Sequence, residues 1–240
     1  MAPTHRALLM APMTSELKPL VRYARAVRFE RDGVRAFHAR LGPVQVVMTQ
    51  AGVGPAVARA ATARALEAFP SDHVVVCGIA GGLDPALPVG SVMIPEVVLD
   101  LASGQRYTAA ALGATTRAGT IGVADHLITD PGRLEELRDD GVAALEMESS
   151  GVAAACEAVG VPWSTVRVIG DRPDEGLTDD AVMSFLRPDG TADAPAAIRF
   201  LLSHPARIPG LMRLGRDSSK AAAAAARTAL RALGWDGAAG

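Results

Sequence analysis

The segment His73–Gly82, HVVVCGIAGG, is an apolar run that ends in glycines. Its β-branched residues favour a strand, and the lack of alternating polar positions is typical of a strand buried on both faces of a parallel sheet. Three glycines within its last five residues leave backbone N–H groups open to an anion or a hydroxyl, although a plain bulge also explains them. The segment therefore predicts the centre of an α/β sheet.

Similar apolar runs on either side alternate with helical patterns. Strands are predicted at 7–11, 43–50, 90–100, 117–125 and 163–171, and helices from about Thr14, at 51–69 after a glycine turn, and at 149–160. Strands interleaved with helices predict one α/β domain over residues 1–190, with a mixed central sheet flanked by helices. Residues 191–240 are rich in alanine and arginine, and they predict a helical basic extension packed on the same domain.

Composition excludes several classes of protein. The net charge of -2 and the pI near 6.2 provide no basic excess for nucleic acid. No apolar run approaches the about 20 residues that span a bilayer, and the N-terminal apolar stretch is too short for a secretory signal. The two cysteines, Cys77 and Cys156, are far apart in apolar surroundings. These features predict a cytoplasmic protein without a disulfide, a metal site or a bound cofactor.

Two carboxylates in the segment ALEMESSGVA, residues 144–153, are unexpected. Glu146 and Glu148 lie among small apolar residues that suit deep burial, and a buried carboxylate is costly unless it has a partner. The pair therefore either caps the helix that starts here or holds a ligand. Asp171 ends a predicted strand, and the carboxyl ends of strands in an open α/β sheet meet in the ligand crevice.

The glycine turn at Gly52 and Gly54, in QAGVGPAVARA, is half of a dinucleotide-binding fingerprint. The third glycine is missing, and no acidic residue closes a following strand about 20 residues later. A tight strand-to-helix turn and a direct ligand contact both remain open for these glycines. A nicotinamide-dependent oxidoreductase would explain the turn but not Glu148 and Asp171.

Four motifs resemble the nucleoside phosphorylase and nucleosidase superfamily, in the same order along the chain. They are APMTSELKPL, TQAGVGPAVARAATARALEA, VVVCGIAGGLDPALPVGSVMIPEVV and ALEMESSGVAAACEAVGVPWSTVRVIGD. The match is closest to the methylthioadenosine/S-adenosylhomocysteine nucleosidase branch. The resemblance implies a nucleoside phosphorylase-like fold and an enzyme that cleaves the N-glycosidic bond of a purine nucleoside. A non-catalytic nucleoside-binding protein is the alternative from another class.

The resemblance also assigns the chemistry to named residues. Asp171 is the general acid that protonates N7, so that the purine leaves as a neutral molecule. Glu16 orients or deprotonates the attacking water, although its place in the first turn of the helix that starts near Thr14 also suits a carboxylate at a helix N-terminus. Glu148 accepts hydrogen bonds from the ribose hydroxyls, and the backbone near Met147 lines the same sugar. For Glu146, a structural place at a helix N-terminus is at least as good an interpretation as a ligand contact.

The remaining substrate-binding residues implied by the resemblance are Ala80, Gly81, Leu127, Ile128 and Arg167. Leu127 takes the position where relatives stack an aromatic ring on the base. Arg167 is a cation in a predicted buried strand, so it needs partners, and it either orders Glu16 and the water or stabilises an anion.

Departures from the family pattern bear on the nucleophile. Ile79 and Gly170 replace small polar residues of relatives, which removes hydroxyls that would hold phosphate, water or sugar. The loop APMTSE also lacks the glycine and arginine of phosphate-using relatives. Water is therefore the expected nucleophile, with phosphate as a co-substrate in the alternative of a phosphorylase.

The tail from Phe185 to Ala222 resembles that of hopanoid-associated members, which cleave adenosylhopane. Residues 192–240 contain seven basic and three acidic residues, a net charge of +4, interleaved with apolar residues. This pattern is typical either of helices packed on the core with solvated arginines or of a helix on an anionic membrane surface beside the substrate's 5′ end. By resemblance a homo-oligomer is also expected.

Overall fold

The structure is a computed structural model that describes residues 5–173 and 207–237, together with 193, 199, 203 and 204. Its strands are β1 (Arg6–Ala11), β2 (Val27–Arg31), β3 (Val34–Leu41), β4 (Val44–Gln50), β5 (His73–Gly82), β6 (Val92–Met93), β7 (Val97–Asp100), β8 (Arg106–Thr108), β9 (Thr120–Val123), β10 (Val142–Glu146) and β11 (Trp163–Asp171). Its helices are α1 (Thr14–Tyr23), α2 (Pro55–Ala68), α3 (Pro131–Asp139), α4 (Ser149–Ala158) and α5 (Ile208–Ala232).

All the strands belong to one mixed sheet, in the order β2-β3-β4-β1-β5-β10-β9-β7-β8, with β11 paired to β5 and β6. Strand β5 lies at the centre because it pairs in parallel with β1 and β11 and, at its last residues, antiparallel with β10. The predicted mixed α/β fold is confirmed.

Helices cover both faces of β5, as its apolar sequence predicts. Val75 and Cys77 pack into a core that includes α1 and α5, whereas Val74 and Val76 pack into a core that includes α2 and α4. In α5 the small side chains of Ala221, Ala225, Ala226 and Ala229 are buried in the first of these cores. Most of the C-terminal half of this helix is therefore part of the domain's core.

The structure corrects several predicted elements. Helix α4 begins at Ser149, as predicted, but the residues before it form β10, which the sequence did not predict. The predicted strand 90–100 is divided into β6 and β7 around Pro95, which has no N–H to donate to a sheet. The β2–β3 hairpin, β8 and α3 were also not predicted from the sequence.

A bulge near the end of β11 sets the direction of its last residue. Ile169 pairs with Ala80 of β5, and Asp171 pairs with Gly81, so that two residues of β11 oppose one of β5. Bulges of this kind re-aim side chains at functional sites. Gly170 lies in this bulge.

The C-terminal extension is described only from Arg207 onward, apart from single residues, and the predicted domain boundary at residues 190/191 lies outside the described residues. Its helix α5 packs against α1, β5 and β11. No described helix combines the length and the apolar character needed to cross a membrane.

Candidate active site

A cavity of about 250 Å³ opens where the carboxyl ends of β1, β5, β9, β10 and β11 meet. Eight of the nine predicted site residues line it: Glu16, Ala80, Gly81, Leu127, Ile128, Met147, Glu148 and Asp171. These residues come from five separate segments of the chain, and the sheet topology brings them together at one edge, as expected for an open α/β sheet.

Asp171 reaches the cavity beside Gly81. A Cβ added to Gly81 would lie 3.6 Å from Asp171 Oδ1 and 3.0 Å from Pro173 Cγ. Pro173 therefore packs closely against the backbone of β5 at Gly81, and Asp171 lies at an ordinary contact distance from it. Asp171 lines the cavity at this point.

Glu16 lies in the first turn of α1 and links that helix to β5. Its Oε2 accepts a hydrogen bond from the N–H of Met13 (2.9 Å), and its Oε1 accepts one from the N–H of Ile79 (2.8 Å). Burial raises the pKa of Glu16, while the Arg167 guanidinium and these N–H groups oppose that rise. Glu16 therefore lies at the N-terminus of α1 and also lines the cavity.

Glu148 lies between the arginine and the glycine turn. Its Oε2 is 3.4 Å from Arg167 Nη2, and its Oε1 accepts a long hydrogen bond of 3.4 Å from the N–H of Gly54. Burial raises the pKa of Glu148, and the Glu146 carboxylate adds to this increase, whereas Arg167 acts against it. Gly54 has a φ of 95°, so the turn needs a glycine and also brings its N–H to the site.

Glu146 caps α4. Its carboxylate accepts hydrogen bonds from the N–H of Glu148 (3.1 Å) and the N–H of Ser149 (2.9 Å), and it pairs with Arg167. These contacts are those of a structural carboxylate at a helix N-terminus, which was one of the two interpretations of Glu146. Glu146 also lines the cavity.

Arg167 lies behind the cavity and does not line it. It is fully buried, opposite Gly78 in the β5–β11 register, and it contacts Glu146, Glu148 and the Ser149 hydroxyl, the last at 3.2 Å. Within the described part of the chain its Nε has no hydrogen-bond partner. Arg167 therefore has the partners that a buried cation needs, and in this structure it contacts the carboxylates that face it and does not line the cavity.

Two features of the site were missed from the sequence. Leu214 and Ser218 of α5 line the cavity, although they are more than 40 residues from Asp171 in the chain. Gly78 leaves the space in which Glu16 and Arg167 meet, because an added Cβ would lie 2.4 Å from Glu16 Oε1 and 2.6 Å from Arg167 Nη1. The glycine-rich sequence of β5 was the available signal for the second feature.

Comparison with known proteins identifies the family of this chain. The family model of the phosphorylase superfamily matches residues 6–110 and 99–201. The chain belongs to the phosphorylase superfamily. The nucleosidase branch predicted from the motifs is also confirmed, since a 5′-methylthioadenosine/S-adenosylhomocysteine nucleosidase of Actinobacillus succinogenes is 30% identical over 178 residues, covering 62% of this chain and 76% of the relative.

Solved structures of superfamily members share the fold. The nucleosidase of Neisseria meningitidis in complex with methylthio-immucillin-A superposes with a TM-score of 0.71 at 20% identity, covering 96% of this chain and 99% of that one. The futalosine hydrolase of Helicobacter pylori superposes with a TM-score of 0.69 at 16% identity, covering 95% and 97%. At these identities the likeness concerns the phosphorylase superfamily fold alone.

Proposed function

We propose that this protein hydrolyses the N-glycosidic bond of an adenosine-type nucleoside and releases adenine. The observation that carries the proposal is the meeting of three carboxyl groups, those of Asp171, Glu148 and Glu16, around one cavity. Cleavage of this bond needs a proton for the leaving base, stabilisation of a positively charged sugar, and a nucleophile. Asp171 supplies the proton, Glu148 stabilises the sugar, and Glu16 positions the water that is the nucleophile.

We assign Asp171 to the protonation of the leaving purine. Proton transfer from a positioned side chain contributes typically about 10²–10⁴-fold to a rate. Asp171 lies beside Gly81, and Leu127 and Ile128 line the same cavity, so the cavity offers the purine both a carboxyl group and apolar side chains. A purine fits such a slot with one ring edge toward Asp171.

Glu148 is assigned to the ribose. Two vicinal hydroxyls donate hydrogen bonds to one ionised carboxylate, and such charge-assisted bonds strengthen as positive charge develops on the sugar. Arg167 keeps this carboxylate in place from behind, and it acts as a positioning residue without contacting the substrate.

Water is the nucleophile in this proposal, positioned by Glu16. Phosphate would need a cation in the cavity, but no lysine or arginine of the described residues lines it. Arg167, the nearest buried cation, is already paired with Glu146 and Glu148. An anionic nucleophile would therefore enter a cavity bordered by carboxylates, which Coulomb repulsion disfavours.

We extend the proposal to a 5′-substituted substrate, with adenosylhopane as the candidate suggested by the tail. Met13, Val53 and Leu214 provide an apolar wall for the substituent. Ile208 and Met212, in the exposed first turns of α5, would contact the membrane that holds such a substrate.

We also propose that the protein forms a homo-oligomer. Light scattering measures its mass in solution.

The test is a substrate panel run with and without phosphate. Adenosine, 5′-methylthioadenosine and adenosylhopane are each scored for free adenine, free sugar and sugar phosphate. Release of adenine and free sugar at a rate independent of phosphate supports the proposal. A sugar phosphate would show a phosphorylase, and no turnover of any purine nucleoside would favour a binding role.

Asp171→Asn separates chemistry from binding, because the amide keeps the shape but cannot donate an acidic proton. We expect adenine release to be abolished while calorimetric nucleoside binding survives. Asp139→Asn, at an exposed position in the last turn of α3, is the matched control and should behave as the wild type. Near-normal turnover of Asp171→Asn would remove Asp171 from the role of general acid.

Vesicle co-sedimentation tests the membrane contact. The wild type should pellet with anionic vesicles at low salt, and Met212→Asp should pellet less because it places a charge in the apolar contact. A wild-type protein that stays in the supernatant would contradict this part of the proposal and leave the assignment of the cavity unaffected.

A further inference from the structure

A second and larger cavity lies on the outer side of α1. This groove has a volume of about 860 Å³ and is bounded by α1, the strands β2 to β4 and the first turns of α2. Its apolar lining includes Leu17, Val21, Phe37, Val57 and Ala61. Small-molecule sites typically have volumes of about 300–1,000 Å³, so the groove has room for an organic ligand.

The rim of the groove carries only positive charge. Lys18, Arg22, Arg28, Arg35 and Arg64 line it, from four different elements, and no acidic side chain of the described residues does. This is a concentrated positive patch on a chain with a net charge of -2.

The cations of the rim lack acidic partners within the described parts of the chain. Lys18, Arg28, Arg35 and Arg64 form no ion pair there, and Arg22 donates to the Tyr23 hydroxyl at 3.1 Å. Glu30 lies opposite Arg35 in the β2–β3 register, yet the two side chains are not paired. The rim charges are therefore available to an external anion.

We propose that this groove binds a single anionic amphiphile, with its aliphatic chain on the apolar lining and its acidic head group on the rim. An apolar lining alone would accept any hydrophobic molecule, and a basic rim alone would accept any anion. Their combination selects a molecule that has both parts, since burial of methylenes and the charge–charge attraction then add.

A second copy of the chain is a poorer occupant. A two-fold symmetric contact places the same surface patch of both subunits together. A contact with the groove on the symmetry axis would bring one ring of five cations against the other, and like charges at short range repel.

The groove adjoins the candidate active site. Thr14 and Gly52 line the groove, and their chain neighbours Met13 and Val53 line the smaller cavity. The Thr14 hydroxyl donates to Gln50 Oε1 at 3.3 Å across the shared wall. The bound amphiphile would therefore lie on the opposite side of this wall from the nucleoside, and the proposal does not depend on the reaction assigned to the active site.

Calorimetric titration with decyl phosphate, below its critical micelle concentration, tests the proposal on the full-length protein. We expect saturable binding of one molecule per chain, which weakens as salt is added. Hexyl phosphate should bind more weakly, because each buried methylene strengthens binding about four-fold. Equal binding of 1-decanol would show that the rim makes no contribution, and equal binding of inorganic phosphate would show an adventitious ion only; either result overturns the proposal.

Charge reversal on the rim locates the site. Two variants are made: one combines Arg28→Glu with Arg35→Glu, and the other is Arg64→Glu alone. Each should raise the Kd of decyl phosphate, and the double variant should raise it about ten-fold. The matched control Arg213→Glu, Arg216→Glu changes the same number of charges on the exposed part of α5 and should leave the Kd unchanged. Thermal unfolding confirms that each variant is folded.

Two results would overturn the location. The first is an unchanged Kd in both the double rim variant and Arg64→Glu. The second is a wild-type dimer in light scattering that the rim variants convert to a monomer, which would show a second copy in the groove. Binding of the protein to anionic vesicles is measured separately. If the protein binds vesicles more tightly than monomeric decyl phosphate, and the rim variants lose this binding, the amphiphile is a membrane lipid.

Discussion

Replacement of Gly78 by alanine tests the cluster at the centre of the site. The new Cβ would lie 2.4 Å from Glu16 Oε1 and 2.6 Å from Arg167 Nη1, whereas ordinary contacts begin at 3.4 Å. Glu16 is held by the N–H groups of Ile79 and Met13, and Arg167 is fully buried between β5 and the carboxylates. Arg167 is therefore enclosed, and Glu16 can move toward the cavity only by giving up these hydrogen bonds.

The size of the effect follows from these distances. Relief of the overlap requires a displacement of Glu16 of about 1 Å, and a misplacement of this size in a catalytic group costs about 100-fold in rate. Overpacking of a close-packed core costs about 1–3 kcal/mol in the free energy of unfolding. We therefore expect Gly78→Ala to lower both kcat and stability, with substrate binding affected less than kcat.

The assays are urea unfolding followed by circular dichroism and adenine release at saturating substrate. Gly215→Ala is the matched control, because a Cβ at this position in α5 meets no heavy atom within 4 Å. In a Glu16→Ala background the stability cost of Gly78→Ala should be smaller, since one of the two clashing groups is absent. Unchanged kcat and unchanged stability in Gly78→Ala would refute the reasoning.

Other substitutions probe the same architecture. Glu148→Gln should raise KM and lower kcat, because the amide cannot strengthen its contact as the sugar becomes positive; unchanged values of both would contradict the ribose assignment. Burial raises the folded-state pKa of Glu148 above its unfolded value. The free energy of unfolding of the wild type relative to Glu148→Gln should therefore fall as pH rises above about 4.3. Urea unfolding at several pH values measures this difference, and a difference that does not change with pH would contradict the raised pKa. Arg167→Met should cost about 3–5 kcal/mol in the free energy of unfolding because two buried carboxylates lose their counter-ion, with part of the loss restored by adding Glu146→Gln. Gly151→Ala would place a Cβ 2.0 Å from the carbonyl oxygen of Pro55, so it should separate α2 from α4 and lower the Tm in calorimetry; an unchanged Tm would show that this helix contact is not close-packed.

Local sequence determined much of this protein. The apolar run of β5 predicted the central strand, and Asp171 at a strand end, Glu148 before a helix and Glu16 in the first turn of α1 were all identified as candidates from the sequence. These signals are local, because burial on both faces and the position at the end of a strand appear in the order of residues themselves.

The tertiary structure alone decided the rest. Strand β10 has five residues, and its polarity pattern did not distinguish it from the helix that follows; its pairing with β9 and β5 makes it a strand. Strand β2 is largely exposed, so its sequence VRFER lacks the apolar signal of a core strand. Strand identity at such positions depends on partners far away in the chain.

The partners of Arg167 show the same limit for the site. The sequence indicated a buried cation that needs partners, but not that Glu146 and Glu148 would occupy it and keep it out of the cavity. Likewise, no local pattern shows that Leu214 of α5 lines the cavity. Residue types and their spacing specify which groups must be paired. The register of β5 against β11 and the packing of α5 determine which partners these groups meet, because such contacts join segments that are distant in the chain.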